Sequence, residues 1–420
     1  MSQLGWIDFS PDDRNKVSNV LALLSEPGTL DELGIGRIRD AYSDALFPGI
    51  STIQTRAKYF ITVPRILRDY QDLPAAKKHR YNGLQSYLKD RENKVAEVLA
   101  SVHQNDAVAV KGIIGRTRID SGGVDRRPSV IYWNGLRTFG ILKTSLSLAD
   151  YCRQLDHEGS HAELEAAELD DGSDDADAVK NANLVRLPDR SHSWMTADIL
   201  HLSLSQKEAE FLKEKLISAP AIAHTVPAQL FKHGLAKQAI KLGGSENSES
   251  FELLTELLVK SNKVDQQCRD TIQRANEFSL AMEGPHIRYN VLLAKSNGFD
   301  DRLEQHEDAY RQWKDKVAQQ KLFTPDCAAR WLHGDTLVFT ALKKSKASDF
   351  VQDISAMMQD KVNTQALDSR IRKQAEANKG TRSLLHKKLS SDGWVGIRRL
   401  DYRWSSARAI LQDIQDGLHA

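Results

Sequence analysis

Cysteine is scarce in this chain of 420 residues: Cys152, Cys268 and Cys327 stand far apart, and no C-x-x-C occurs. A disulfide framework or a cysteine zinc cluster is therefore not expected, and a reducing, cytoplasmic setting fits. No run of about 18 apolar residues occurs, which argues against a membrane-spanning helix. Met1 to Pro11 holds Asp8 and neither a basic n-region nor an apolar h-region, so a secretory leader is not expected. G-x-x-x-x-G-K-[ST] and G-x-S-x-G are both missing, which leaves no sequence basis for a P-loop ATPase or an α/β-hydrolase nucleophile elbow. What remains is an ordinary globular composition, 40% hydrophobic and 27% charged, long enough for about two or three domains.

Charge is balanced overall at +1 but is laid out in blocks. Residues 51–143 hold 17 Lys/Arg against 8 Asp/Glu, residues 150–178 hold 1 against 11, and residues 370–408 hold 11 against 3. Two cationic blocks around an acidic one suggest a polyanionic partner, with the acidic stretch as a partner-binding or self-masking loop.

Apolar spacing reads as helix along most of the chain. Ser10 and Pro11 open a helix carrying Val17, Val20, Leu21 and Leu24. Phe47-Pro48-Gly49 is a turn, after which Ser51 or Thr52 caps a helix with Ile53, Ala57, Phe60 and Ile61, kinked or broken at Pro64. Leu84, Leu88, Val95, Val98 and Leu99 mark an amphipathic helix over 84–102. Ser129 to Trp133 is an apolar run that fits a strand or a helix start. Ser205 and Glu208 match a capping box. Helices follow from Phe251 to about Gln320, with Gly284-Pro285 as an interruption, and 346–388 is helical and increasingly basic. The expected fold is mainly α: a multi-domain helical protein with a few short strands, winged-helix-like in its N-terminal half. The expected division is a basic N-terminal domain at 1–155, an acidic linker at 156–190, and a helical C-terminal domain at 191–420.

Few motifs carry chemistry. His157-Glu158-Gly159-Ser160-His161 satisfies H-E-x-x-H, in which two histidines one helical turn apart bind zinc and the glutamate polarises water. Its surroundings argue against a rigid metal site. Asp156, Glu163, Glu165 and Glu168 make it solvated, Gly159 weakens the helix, and no glutamate lies between Glu168 and Glu208 as a third ligand. His386-x-Lys388 with Asp392 is one copy of a phospholipase-D-like pattern with the aspartate a residue early. Gly112, Gly115, Gly122 and Gly123 flank arginines and could form an anion nest.

The basic blocks interleave aromatics: Tyr59, Tyr70 and Tyr81 in the first, Tyr402 and Trp404 in the second. Arginine and lysine reach phosphates and rings stack on exposed bases, although such rings also serve as core anchors. The candidate nucleic-acid residues are Arg56, Lys58, Arg65, Arg116, Arg118, Arg126, Arg127, Lys387, Lys388, Arg398, Arg399 and Arg403.

Four segments together resemble a bacterial family of unknown function: Gly5 to Ser10, Leu46 to Phe60, Ile131 to Leu136, and Leu400 to Trp404. The Phe47-Pro48-Gly49 segment is the most specific. Members of that family are typically encoded in anti-phage defence islands beside helicase, methylase or phospholipase-D-like genes. The resemblance brings no catalytic residues. It implies a cytoplasmic accessory protein acting on or near DNA. The expected function is accordingly a non-catalytic, nucleic-acid-associated subunit with no cofactor and no membrane, its partners being DNA and a helicase or nuclease. Two alternatives stand beside it: a metal-dependent hydrolase or nuclease through His157, Glu158 and His161, and a protein–protein scaffold without DNA contact.

Overall fold

The computed structural model describes residues 31–121, 123–124, 126–157, 187–188, 193–242, 247–342 and 347–420. The helices that carry the argument are α1 (Gly36–Leu46), α2 (Tyr59–Gln71), α3 (Leu84–Val102), α4 (Pro128–Thr138), α5 (Gln206–Ser218), α6 (Gln266–Asn297), α7 (Asp300–Gln319), α8 (Ala347–Gln359), α9 (Thr364–Lys379) and α10 (Trp404–Gly417). The fold is mainly helical, and no strand occurs among the described residues. The short strands and the winged helix expected from sequence are therefore corrected. The ambiguous run at Ser129 to Trp133 enters α4, which starts on Pro128, a residue pre-organised for the first helical position. The expected Ser10 helix and most of the 156–190 linker lie outside the described residues.

The chain forms two compact units, neither continuous in sequence. One takes Met1–Tyr42 and Asp270–Tyr402; the other takes Ser43–Arg269 and Arg403–Ala420.

In the first unit, α6 is the spine. Tyr42 packs its ring 5.7 Å from both Phe278 and Tyr402 and donates its hydroxyl to the Trp331 carbonyl at 2.7 Å. The expected break at Gly284-Pro285 does not occur, because α6 runs through it. Trp313 of α7 packs against the helix at this point. Its indole donates to the Leu280 carbonyl at 2.7 Å, one turn before the proline, and a Cβ at Gly284 would lie 2.4 Å from its ring. Arg288, almost fully buried, then ties α6 to Glu307 of α7 at 2.6 Å and to Asp368 of α9 at 2.7 Å.

In the second unit, α2 is buried along ten of its thirteen positions, Pro64 and the ion-paired Arg65 included, so the proline is carried inside a helix held on several sides. The helix starts at Tyr59, later than its sequence suggests, and Ile53 stays exposed in the turns before it. Two of the segments behind the family resemblance, Leu46 to Phe60 and Ile131 to Leu136, meet here together with Trp404, while Gly5 to Ser10 lies outside the described residues. Phe47 stacks on Trp404 at 5.9 Å, the Tyr132 hydroxyl bonds the backbone of Thr55 and Arg56, and a Cβ at Gly135 would sit 2.5 Å from the Gly49 carbonyl oxygen. Their sequence pattern is thus explained by packing.

Glu92 of α3 is buried against the first turn of α4, where it accepts the Ser129 amide at 2.5 Å. Burial pushes its carboxyl up to about 7, partly countered by Ser129 and Arg127. A carboxyl with a folded pKa above its unfolded value favours the protonated fold. Its stabilising effect is whole below about pH 4.5 and is lost as pH rises to about 7. Glu92→Gln should therefore unfold at higher denaturant than the parent at pH 8, by about 3 kcal/mol, with the gap closing below about pH 4.5. Urea melts at both pH values check this; an equal or lower midpoint for the variant at pH 8 contradicts it.

Candidate nucleic-acid interface

The sequence-predicted cations divide into buried structural ties and residues at the surface. Lys58, just before α2, and Arg65, on it, both reach Glu208, at 2.7 and 3.0 Å, with side chains 5% and 10% exposed. Glu208 also closes the expected capping box of α5 with Ser205. Burial lowers the Lys58 pKa, and the Glu208 carboxylate works against that shift. Arg56 holds Asp413 of α10 through its Nε and Nη2, at 2.8 to 3.0 Å, and Asp413 also accepts the Ala57 amide. Arg403, in a left-handed conformation at the start of α10, ties to Asp44 at 2.6 Å and to the Ile50 carbonyl. These four arginines and lysines hold the second unit together; a phosphate would have to compete with carboxylates already in place. Tyr59, Tyr402 and Trp404 are likewise buried core residues.

The others face solvent. In the second unit, Arg116 and Arg118 stand exposed on a short 3-10 turn, Arg116–Ser121, that packs on α3. Arg126 is exposed, and the half-buried Arg127 donates to Asn93 of α3 at 3.0 Å. Lys77, Arg80, Lys89 and Lys111 add exposed charge nearby in the sequence. The proposed glycine nest is corrected in part. The Gly112 and Gly123 amides donate to the Ala109 and Arg118 carbonyls and are not open to an anion; Gly122 lies outside the described residues.

The first unit carries the denser surface. Arg372, Lys373, Lys379, Arg382, Lys387 and Lys388 form no ion pair among the described residues, and all but the half-buried Lys379 are exposed. Beyond Lys388 the chain leaves helical structure and runs as a ribbon antiparallel to α6. With no sheet to pair with, its backbone is satisfied by α6 side chains. Asn297 accepts the Leu389 amide at 2.9 Å; Asn290 both accepts from and donates to Val395 at 2.8 Å; Ser279 accepts from and donates to Leu400. Asparagine and serine suit this because each is donor and acceptor at once. Arg399 reaches Asn276, and Arg398 stays exposed with its guanidinium 5.3 Å from the Trp394 ring. Sequence reading placed Lys387, Lys388, Arg398 and Arg399 here but passed over Arg372, Lys373, Arg382 and Trp394. The block charge of 370–408 was the available signal.

The cysteine, metal-ligand and phospholipase-D-like candidates are not brought together among the described residues. Cys152, Cys268 and Cys327 are free and buried. Burial pushes the first two thiols up to about 12, which keeps them protonated and weakly nucleophilic. No cluster of three or more His, Cys, Asp or Glu placed to hold a metal occurs among the described residues. His157 is exposed at the end of a helical segment at 148–157, while Glu158 and His161 lie outside the described residues. His386 meets Glu376 at 3.7 Å and Asp392 pairs with Arg302, so the phospholipase-D-like pattern is spent on other partners. No described helix is long and apolar enough to cross a membrane.

The fold and its surfaces thus define a mainly helical protein with an exposed cationic surface on each of two units. The chain belongs to a family of unknown function, DUF6361, which matches residues 1–417. Comparison with curated proteins and with solved structures finds no match.

Proposed function

We propose that the protein is a non-catalytic, nucleic-acid-associated subunit, and that the setting implied by its resemblance, a bacterial anti-phage defence system in the cytoplasm, is where it works. The observation that carries this reading is the run of unpaired cations from Arg372 to Lys388. Surface lysines and arginines ordinarily sit among carboxylates, and here nine basic residues face two acidic ones over 370–399. Chemistry on the nucleic acid would come from a partner such as a helicase or nuclease. The acidic stretch 156–178, offered above as a masking loop, falls mostly outside the described residues.

Anisotropy titration of the intact chain into labelled DNA tests the reading. Saturable binding at 50 mM salt that weakens steeply by 200 mM is expected, because phosphate contacts release counterions. Absence of binding at 50 mM salt overturns it. A scaffold without DNA contact draws on a separate feature, an open groove of about 660 Å³ on the first unit lined by Leu322, Phe323, Met357, Met358 and Val362. Neighbouring gene products that co-purify after nuclease treatment, from a chain that does not bind DNA, would favour that second reading.

A further inference from the structure

The ribbon after Lys388 has a feature that bulk positive charge does not explain. Trp394 lies half-exposed in its middle, while Trp313 and Trp331 of the same unit are buried. Its indole N–H is pinned to the Gly396 carbonyl at 3.1 Å, and His306 of α7 meets it edge-on at 5.6 Å. The ring is therefore held in one orientation without being covered by core. Cations stand on both sides of it along the chain: Lys387 and Lys388 before, Arg398 after. The ribbon's anchors on α6 run from Asn297 to Ala275, where the Tyr402 hydroxyl donates. At 1.5 Å per residue that is a track of about 33 Å. Burial and the neighbouring Arg302 and Arg398 hold the His306 pKa down, as expected where positive charge gathers.

We propose that this ribbon is a track for single-stranded nucleic acid, on which Trp394 stacks an unpaired base between phosphates held by Lys387, Lys388 and Arg398. The inference rests on the nucleic-acid reading above and names its substrate class. A base inside a duplex is already stacked on both faces, so one fixed surface ring gains little from it; a base in a single strand offers a free face. Arg398, already over the ring, is no obstacle, since a guanidinium itself stacks on planar partners. An extended ribbon lying along a helix also matches a flexible single strand better than it matches a groove, because it presents no recognition helix to enter one.

The test uses the intact chain with a fluorescein-labelled single strand of about 20 nucleotides and the matching duplex. The parent is expected to bind the single strand more tightly. Trp394→Ala should weaken single-strand binding by roughly 5- to 100-fold, leave duplex binding within about 2-fold, and leave the salt slope unaltered. Trp394→Phe should recover most of the loss, and thermal melts of both variants check that they fold. Lys387→Ala/Lys388→Ala should weaken both ligands and flatten both salt slopes. If Trp394→Ala binds the single strand as the parent does while the lysine variant is impaired, the stacking proposal is wrong and the broader reading stands. If the parent binds neither ligand, both fall together.

Discussion

Reversing three charges at once, Arg382→Glu/Lys387→Glu/Lys388→Glu, is expected to weaken DNA binding by roughly two orders of magnitude at 0.1 M salt. The figure follows from counterion release: each lost phosphate contact removes close to one power of salt concentration from the affinity. All three side chains are exposed and unpaired, so the fold does not depend on them and the melting temperature should stay near the parent value. The matching triple on the second unit, Arg116→Glu/Arg118→Glu/Arg126→Glu, reports whether that surface shares the load. An affinity unchanged in the first variant would remove the 372–388 surface from the account.

A larger effect on stability is expected from Glu208→Ala. This carboxylate accepts from Lys58, Arg65 and the Ser205 amide while 3% exposed. Removing it leaves two cations buried beside each other with no counter-charge, which typically costs about 3–5 kcal/mol, and the lost cap adds about 1 kcal/mol. For a unit of this size the melting temperature should fall by roughly 10 °C or more. Replacing Lys58 by methionine is expected to cost much less, since Arg65 still faces Glu208 and the stem is already packed. A small effect for Glu208→Ala, comparable to that of an exposed substitution, would mean the triad is not the tie described here.

How far this was legible in the sequence depends on the range of each cue. The bounds of α3 follow from Leu84, Leu88, Val95 and Leu99, and the start of α5 from Ser205 and Glu208, because periodicity and caps act within a turn or two. The run at Ser129 to Trp133 is too short for its apolar spacing to separate strand from helix. Pro285 gave a local warning, but α6 runs through it with the remote Trp313 packed against it. The candidate cations suffered most. Arg56 finds Asp413 and Lys58 finds Glu208, 357 and 150 residues away, and nothing near either basic residue announces the acid. Trp394 was missed for a related reason. It sits beside the more aromatic Leu400 to Trp404 segment, and only the three-dimensional structure separates the buried rings from the half-exposed one.

The most direct measurement is the slope of log affinity against log salt for DNA binding, between about 50 and 200 mM, for the intact chain and for Arg382→Ala/Lys387→Ala/Lys388→Ala. If these side chains contact phosphates, the slope of the variant is shallower by roughly three. Parallel lines for parent and variant would contradict the claim that this surface meets nucleic acid.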